Sequence, residues 1–264
     1  MIMAIACGQK KADSPKVLVL YYSQTGNTQK VAEAIQEKVG ADIEAIVPVV
    51  PYDGDYNATI ERGRVELFEG KFPEIQPLNV NVADYDVIFI GFPVWFGTYA
   101  PPVETMLNNV DLKGKKIVPF CTFGSGGLDS SSRNMAAKLP ESEILPGYGV
   151  RAARIDAIDA ELDQFLKEGG FIEGEPAPVE AFPLELPVTE EQSAIFDAAV
   201  AGYPMINAKA EFVTYRRHAL GGQEYLFTAV DQPRDPQFQG EPHRMKVYVL
   251  VEEGKAPVFT QVCR

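Results

Sequence analysis

The chain has 264 residues, of which 46% are hydrophobic, and it sets 37 acidic side chains against 24 basic ones for a formal net charge of −13. That length favours two domains over one, and the apolar fraction is ample for buried cores. An acidic balance of this size excludes nucleic acid as a natural partner, because phosphate backbones need a basic face. No run reaches the roughly eighteen apolar residues of a membrane-spanning helix. Cys7, Cys121 and Cys263 show no metal spacing and no C-x-x-C pair. His218 and His243 are the only histidines and both lie late. A His-based metal site or a Ser-His-Asp triad built in the earlier part of the chain is therefore excluded, and neither catalytic nor metal-binding residues are assigned.

The chain opens on a wholly apolar stretch, residues 1–6, followed by Cys7-Gly8 and a polar tract, 9–15. A small residue, a cysteine and a hydrophilic tether resemble the end of a bacterial lipoprotein signal, with Cys7 as the acylated residue and 1–15 as the tail. The charged n-region of such a signal is absent and the apolar region is short. Two readings stand: a lipid anchor that places the protein in the cell envelope or periplasm, or an incidental cysteine in a cytoplasmic protein's disordered tail.

The first strand is expected over 17–22. A polar run follows at once: Ser23, Gln24, Thr25, Gly26, Asn27 and Thr28. A helix is expected over 27–39, where Val31, Ala34, Ile35 and Val39 recur at helical spacing and Gly40 stops it. Hydroxyls, an amide and backbone N–H groups at the positive end of a helix are what a phosphate monoester needs. For any single hydroxyl the alternative is an ordinary helix cap. A Gly-Lys-Ser/Thr loop and a G-x-G-x-x-G turn are both absent.

A short second strand is expected over 43–48, a turn-rich loop over 51–55, and a helix over 56–69 with Ile60, Val65, Leu67 and Phe68 as its apolar set. The run 85–91 reads as a buried central strand. The aromatic stretch 92–99 follows, with the chain's only tryptophan, Trp95, and three further aromatics between prolines. A short helix is expected over 103–110 and a strand over 117–122, with Cys121 as a small buried hydrophobe. A glycine-rich loop, 122–128, comes next. A serine-capped helix over 130–139, a fifth strand over 144–150 and a helix over 156–168 close the pattern. Strands alternating with helices at this spacing predict an α/β fold, a doubly wound five-stranded parallel sheet in the order 2-1-3-4-5. Ligands of such sheets sit at the carboxyl ends of the strands. Hydroxyl, aromatic and glycine loops at successive strand ends describe a site for a mononucleotide with a flat ring. The aromatic stretch alone also suits a hydrophobic plug over the sheet end.

The run S-x-T-G-N-T, together with YDVIFIGFPVWFGTYAPPVETML and IVPFCTFGSGGLDSS, resembles the flavodoxin family, in its bacterial short-chain form, over about residues 16–173. The resemblance implies a flavin mononucleotide (FMN) site. Residues 23–28 would hold the phosphate without a counter-charge. Pro93, Val94, Trp95, Phe96 and Gly97 would line one side of the ring, with Trp95 favoured over Phe123 as the stacking group. Phe123, Gly124, Gly126 and Gly127 would line the other side and the pyrimidine edge. Gly97 is the position where a carbonyl could flip towards the flavin N5–H. An acidic, aromatic pocket would lower the potential of the second electron.

Residues 173–187, rich in Pro and Glu, read as a linker after a first domain of 16–172. The remainder, 188–264, is expected to be a small α+β domain: a helix capped at Thr189, then extended runs over 207–220, 224–230, 246–251 and 257–262. The helix-first order and the stretch ALGGQEYLF, Ala219 to Phe227, resemble the cystatin/stefin fold, which implies protein or peptide binding. His218 and Leu220 stand where that family has glutamine and valine, and no Pro-Trp hairpin follows. The expected function is FMN-dependent electron transfer to an unidentified redox partner protein. The alternatives are an NAD(P)H-dependent FMN quinone or flavin reductase, and a cystatin-like binding module on a flavodoxin scaffold.

Overall fold

Runs such as VLVLY and VIFIG carry apolar side chains at every position, which suits strands covered on both faces. They form the centre of a parallel sheet. The computed structural model describes residues 15–52, 54–203, 205–232 and 243–263. The expected acylation at Cys7 and the tail before residue 15 lie outside the described residues. Strand β1 (Val17–Tyr21) pairs in parallel with β2 (Asp42–Ala45) on one side and with β3 (Val87–Trp95) on the other. β3 folds back on a two-residue strand, β4 (Thr98–Tyr99), and pairs in parallel with β5 (Lys116–Phe123). Outside β5 lie β6 (Glu143–Ile144) and β7 (Tyr148–Arg151), both parallel to it. Taken as one interrupted strand, they complete the expected 2-1-3-4-5 order.

That interruption corrects the expectation of a continuous strand over 144–150. Pro119 of β5 has no N–H, and a Cβ on Gly147 would meet the Pro119 carbonyl oxygen at 2.4 Å. The N–H and C=O of one strand residue point to the same side. The donor missing at Pro119 is therefore missing on the side of the fifth strand, and the ladder breaks there.

Helices cover both faces. α1 (Asn27–Val39) lies on one face, where Val31 and Ile35 join Val19, Phe89, Val118 and Phe120 in one core. The helices α2 (Tyr56–Glu69), α3 (Pro101–Asn109) and α4 (Leu128–Lys138) are on the other face. There Met106 and Met135 pack with Leu18, Leu20, Ile88, Ile90 and Phe92, and α2 lies beside α3. α5 (Ile158–Glu168), reached through a 3-10 turn, returns to the first face through Leu162 and Leu166. β3 feeds the two cores alternately, as the period-2 geometry of a strand requires.

Two helices differ from expectation. α2 buries Gly63 and Glu66 in place of the expected apolar set, and Phe68 is 73% exposed. Hydrogen bonds from Tyr52 and Arg62 draw Glu66 inward. α4 begins at Leu128 behind Gly127, with no side-chain cap, so the expected serine caps are not used. Ser130 Oγ instead donates to the Gly97 carbonyl at 2.6 Å.

The second domain is a separate antiparallel sheet. α6 (Glu190–Val200) starts with a Thr189–Gln192 capping box. The strands β9 (Ala208–Arg217), β10 (Gln223–Asp231), β11 (Arg244–Val251) and β12 (Val258–Cys263) form a meander. The last two residues of the expected linker form the edge strand β8 (Leu186–Pro187), paired with β9. Phe196 of α6 is fully buried against Phe227 of β10. No helix among the described residues is long and apolar enough to cross a membrane.

The closest packing in the first sheet is at Gly91 of β3, where a Cβ would lie 2.1 Å from Phe120 Cζ. Gly91→Ala should destabilise the protein by about 1–3 kcal/mol, the usual range for overpacking. Urea unfolding followed by circular dichroism measures it, and an unchanged midpoint would contradict the packing of β3 on β5.

Candidate functional site

The loops at the carboxyl ends of β1, β3 and β5 meet on one edge of the sheet. In the first, Gly26 adopts φ 86°, the left-handed region where glycine is favoured. It ends the loop, and α1 starts with no side-chain cap and no acidic residue in its first turn. The N–H groups of that turn therefore present the positive end of the helix to the loop. Ser23 Oγ accepts the Gly26 N–H at 3.1 Å, and Gln24 Oε1 accepts from Tyr22 OH at 2.5 Å. Thr25 is exposed, and Ser23 and Asn27 are half-buried. Thr28 sits deeper than its neighbours in the loop. Its side chain is buried and its hydroxyl pairs with that of Thr122 at 2.8 Å. If Thr122 is the donor in that pair, Thr28 can offer a ligand both its backbone N–H and its hydroxyl proton.

The aromatic stretch is a β-hairpin and not an open loop. Val94 pairs with Tyr99 and Trp95 with Thr98. The two-residue turn is Phe96 at φ 50° and Gly97 at φ 79°, and two positive φ values are what the tight hairpin turn requires. Phe96 is the one non-glycine residue with positive φ among the described residues, and it is 46% exposed against Phe68. Trp95 is half-buried. It meets Tyr52 edge to face at 5.1 Å between centroids and Tyr22 at 6.0 Å. A Cβ on Gly63 would lie 3.0 Å from Trp95 Cε3, so α2 presses on the indole.

Behind these rings lies a polar pair. Tyr52 OH donates to Glu66 Oε2 at 2.5 Å, and Arg62 Nε donates to Glu66 Oε1 at 2.7 Å. The Arg62 guanidinium also sits 3.9 Å from the Tyr52 ring centroid. Burial, followed by the Glu66 hydrogen bond, pushes the Tyr52 phenol well above its ordinary range. Burial likewise raises Tyr22, opposed by Arg62 and helped by Glu66. Both phenols stay protonated donors at neutral pH.

The glycine loop is shaped by protein contacts that the sequence does not reveal. A Cβ on Gly127, at φ 120°, would meet Val94 Cγ1 at 2.5 Å, which joins this loop to the hairpin. A Cβ on Gly126 would meet the Val262 carbonyl oxygen at 2.1 Å, and the Val262 N–H donates to the Ser125 carbonyl at 2.6 Å. The close approach expected at Gly126 is thus to the last strand of the second domain. Gly124 is exposed, with Tyr203 Oη 3.1 Å from where its Cβ would be. Phe123 is 4% exposed and packs against Gly149, so its ring lies in the core and its backbone faces the loop.

The structure therefore brings together Ser23–Asn27 by backbone and side chain, Pro93–Gly97, and Gly124–Gly127 by backbone. Sequence reasoning missed Tyr22, Tyr52, Arg62 and Glu66, and also Arg151, whose Nε donates to the Gly124 carbonyl. The i,i+4 spacing of Arg62 and Glu66 was the one signal available for that pair.

A family model described as Flavodoxin matches residues 16–162. Among solved structures, a candidate flavoprotein from Bacteroides eggerthii DSM 20697 is 34% identical with a TM-score of 0.50, over 57% of this chain and 97% of that one. A candidate flavoprotein from Bacteroides uniformis ATCC 8492 is 27% identical with a TM-score of 0.51, over 56% of this chain and 98% of that one. A flavoprotein in complex with FMN from Lactobacillus acidophilus NCFM is 26% identical with a TM-score of 0.47, over 55% and 98%.

Trp95 is the only tryptophan, so its emission reports on the site alone. Gly63→Ala should displace the indole, shift its emission maximum in ligand-free protein, and cost about 1–3 kcal/mol. An unchanged spectrum would show that α2 does not press on Trp95.

Proposed function

The chain belongs to the flavodoxin family, and we propose that its first domain binds FMN at the carboxyl ends of β1, β3 and β5 and serves as an electron carrier. One observation carries this reading. An uncapped helix N-terminus in a neutral hydroxyl loop shares a sheet edge with a half-exposed tryptophan in a hairpin. The residues fit the cofactor. No acidic residue in the first turn of α1 repels a phosphate, and Gly26 turns the loop so that the helix N–H groups face it.

In this arrangement Ser23, Gln24, Thr25, Gly26 and Asn27 hold the phosphate, with Thr28 contributing its N–H. The buried Thr28–Thr122 pair fixes the loop from below. Pro93, Val94, Trp95, Phe96 and Gly97 form the wall against the ring, and Tyr52 with Tyr22 keeps the indole from turning. The backbone of Phe123, Gly124, Gly126 and Gly127 forms the opposite wall. FMN bound there supplies electron storage in one-electron or two-electron steps. An apolar rim of Phe68, 73% exposed, and Phe96, 46% exposed, with ring centroids 6.1 Å apart, flanks the hairpin. Such a rim suits contact with a partner protein better than enclosure of a small substrate, which favours a carrier over a reductase.

Purified protein titrated with FMN should quench flavin and Trp95 fluorescence together at one equivalent. Riboflavin, which lacks the phosphate, should bind about tenfold or more weaker, equivalent to about 1.4 kcal/mol. Trp95→Ala should weaken FMN by a similar factor. Equal affinity for FMN and riboflavin would remove the phosphate role of residues 23–28. Reduction of bound FMN by NADH or NADPH alone would assign the protein to the reductases instead.

A further inference from the structure

The second domain meets the glycine loop at the proposed cofactor edge, and a buried cation lies within that contact. Arg151 ends β7 at the carboxyl side of the sheet and is 9% exposed. Its Nε donates to the Gly124 carbonyl at 2.9 Å, inside the glycine loop. Its Nη1 donates to the Phe259 carbonyl of β12 at 2.8 Å. The guanidinium lies 3.4 Å from the Phe259 ring centroid and 5.5 Å from that of Tyr203.

The groups acting on Arg151 are its burial, the Tyr203 phenol and the neighbouring Arg154. Among the described residues no carboxylate lies within ion-pair distance of Arg151, and Arg154 takes Glu161 as its own partner. Carbonyl dipoles and ring faces offset the cost of burying a cation only in part. Its field is therefore only partly offset by the groups it touches. It falls on Gly124 and its neighbours, where the flavodoxin resemblance places the pyrimidine edge of FMN. Reduced FMN carries negative charge on that portion of the ring, and charge near the ring tunes a flavin's electronics.

We propose that Arg151, clamped between the two domains, raises the reduction potential of FMN bound at the glycine loop by favouring the reduced, anionic form. This rests on the FMN reading above. It gives the second domain a place in the site: β12 supplies the carbonyl and the ring that hold the cation. It also opposes the downward pull on potential expected from an acidic chain of net charge −13.

The test uses the full chain with FMN bound. Arg151→Gln should bind oxidised FMN within a few-fold of wild type. It should bind reduced FMN about tenfold more weakly, which lowers the two-electron midpoint by about 30 mV. Arg151→Lys, which keeps the charge, should stay near wild type. Should Arg151→Gln fail to fold, Arg151→Met keeps the apolar stem against Phe259 and carries the same expectation. An unchanged midpoint in the neutral variant overturns the proposal. So does an equal loss of affinity for both oxidation states, which would mean that Arg151 only props the loop. Wild-type protein that ignores FMN fails the cofactor reading before any variant is compared.

Discussion

The parallel register of β1 with β3 is the constraint on which the site depends. Tyr21 lies opposite Gly91, and the Tyr22 N–H donates to the Gly91 carbonyl at 2.9 Å. Both strands are buried on two faces, so a slip by one residue would move every side chain into the wrong core. The hydroxyl loop and the hairpin therefore leave the sheet at one level. The Thr28–Thr122 hydroxyl pair then reaches from the start of α1 to the end of β5, passing over β3. A buried hydroxyl needs a partner, and each of these two has the other. That bond fixes where α1 begins, and so where its unpaired N–H groups point.

The polar side chains around the ring wall obey the same rule. Tyr22 is satisfied by Gln24, and Tyr52 by Glu66, which in turn takes Arg62. The carboxylate brought inside by α2 is thus neutralised locally by a guanidinium. A partly buried ion pair of this kind is weak evidence for stability and better evidence for a single arrangement of the groups it joins. Here those groups are Tyr52 and, through it, Trp95. The helix carries its exposed phenylalanine outward because its inward positions are spent on Gly63 and Glu66.

Much of the first domain was legible because its signals are local. α1 and α2 start and stop at the expected residues, each ended by a glycine in the left-handed region, Gly40 and Gly70. The hydroxyl loop was legible for the same reason. The hairpin was not, since Phe-Gly is not a pair that announces a turn with two positive φ values. The break in the fifth strand was hidden because its cause, Pro119, lies in the neighbouring strand and acts through a missing donor. That the Phe123 ring turns into the core follows from alternation along β5, a parity that shows only once the register with β3 is known. Arg151 was invisible for a stronger reason: its second carbonyl partner is 108 residues away, in another domain.

The same long-range contact explains why the glycine loop is so rich in glycine. β12 is an edge strand, and edge strands carry unpaired N–H and C=O groups that must be covered. At the opposite edge the chain covers β9 with β8, drawn from residues expected to be a free linker. That segment is held along its length: Glu185 bonds to Thr228 and Lys246, and the Arg216 guanidinium donates to the Glu180 carbonyl at 2.7 Å. At β12 the cover is the first domain itself. The Val262 N–H finds Ser125, and only a residue without a Cβ can stand at 126 beside the Val262 carbonyl. Glycine at 126 therefore serves the joint between the domains, while glycine at 124 stays exposed. The loop that closes the proposed cofactor site is for this reason also the seat of the second domain, and the two cannot shift independently.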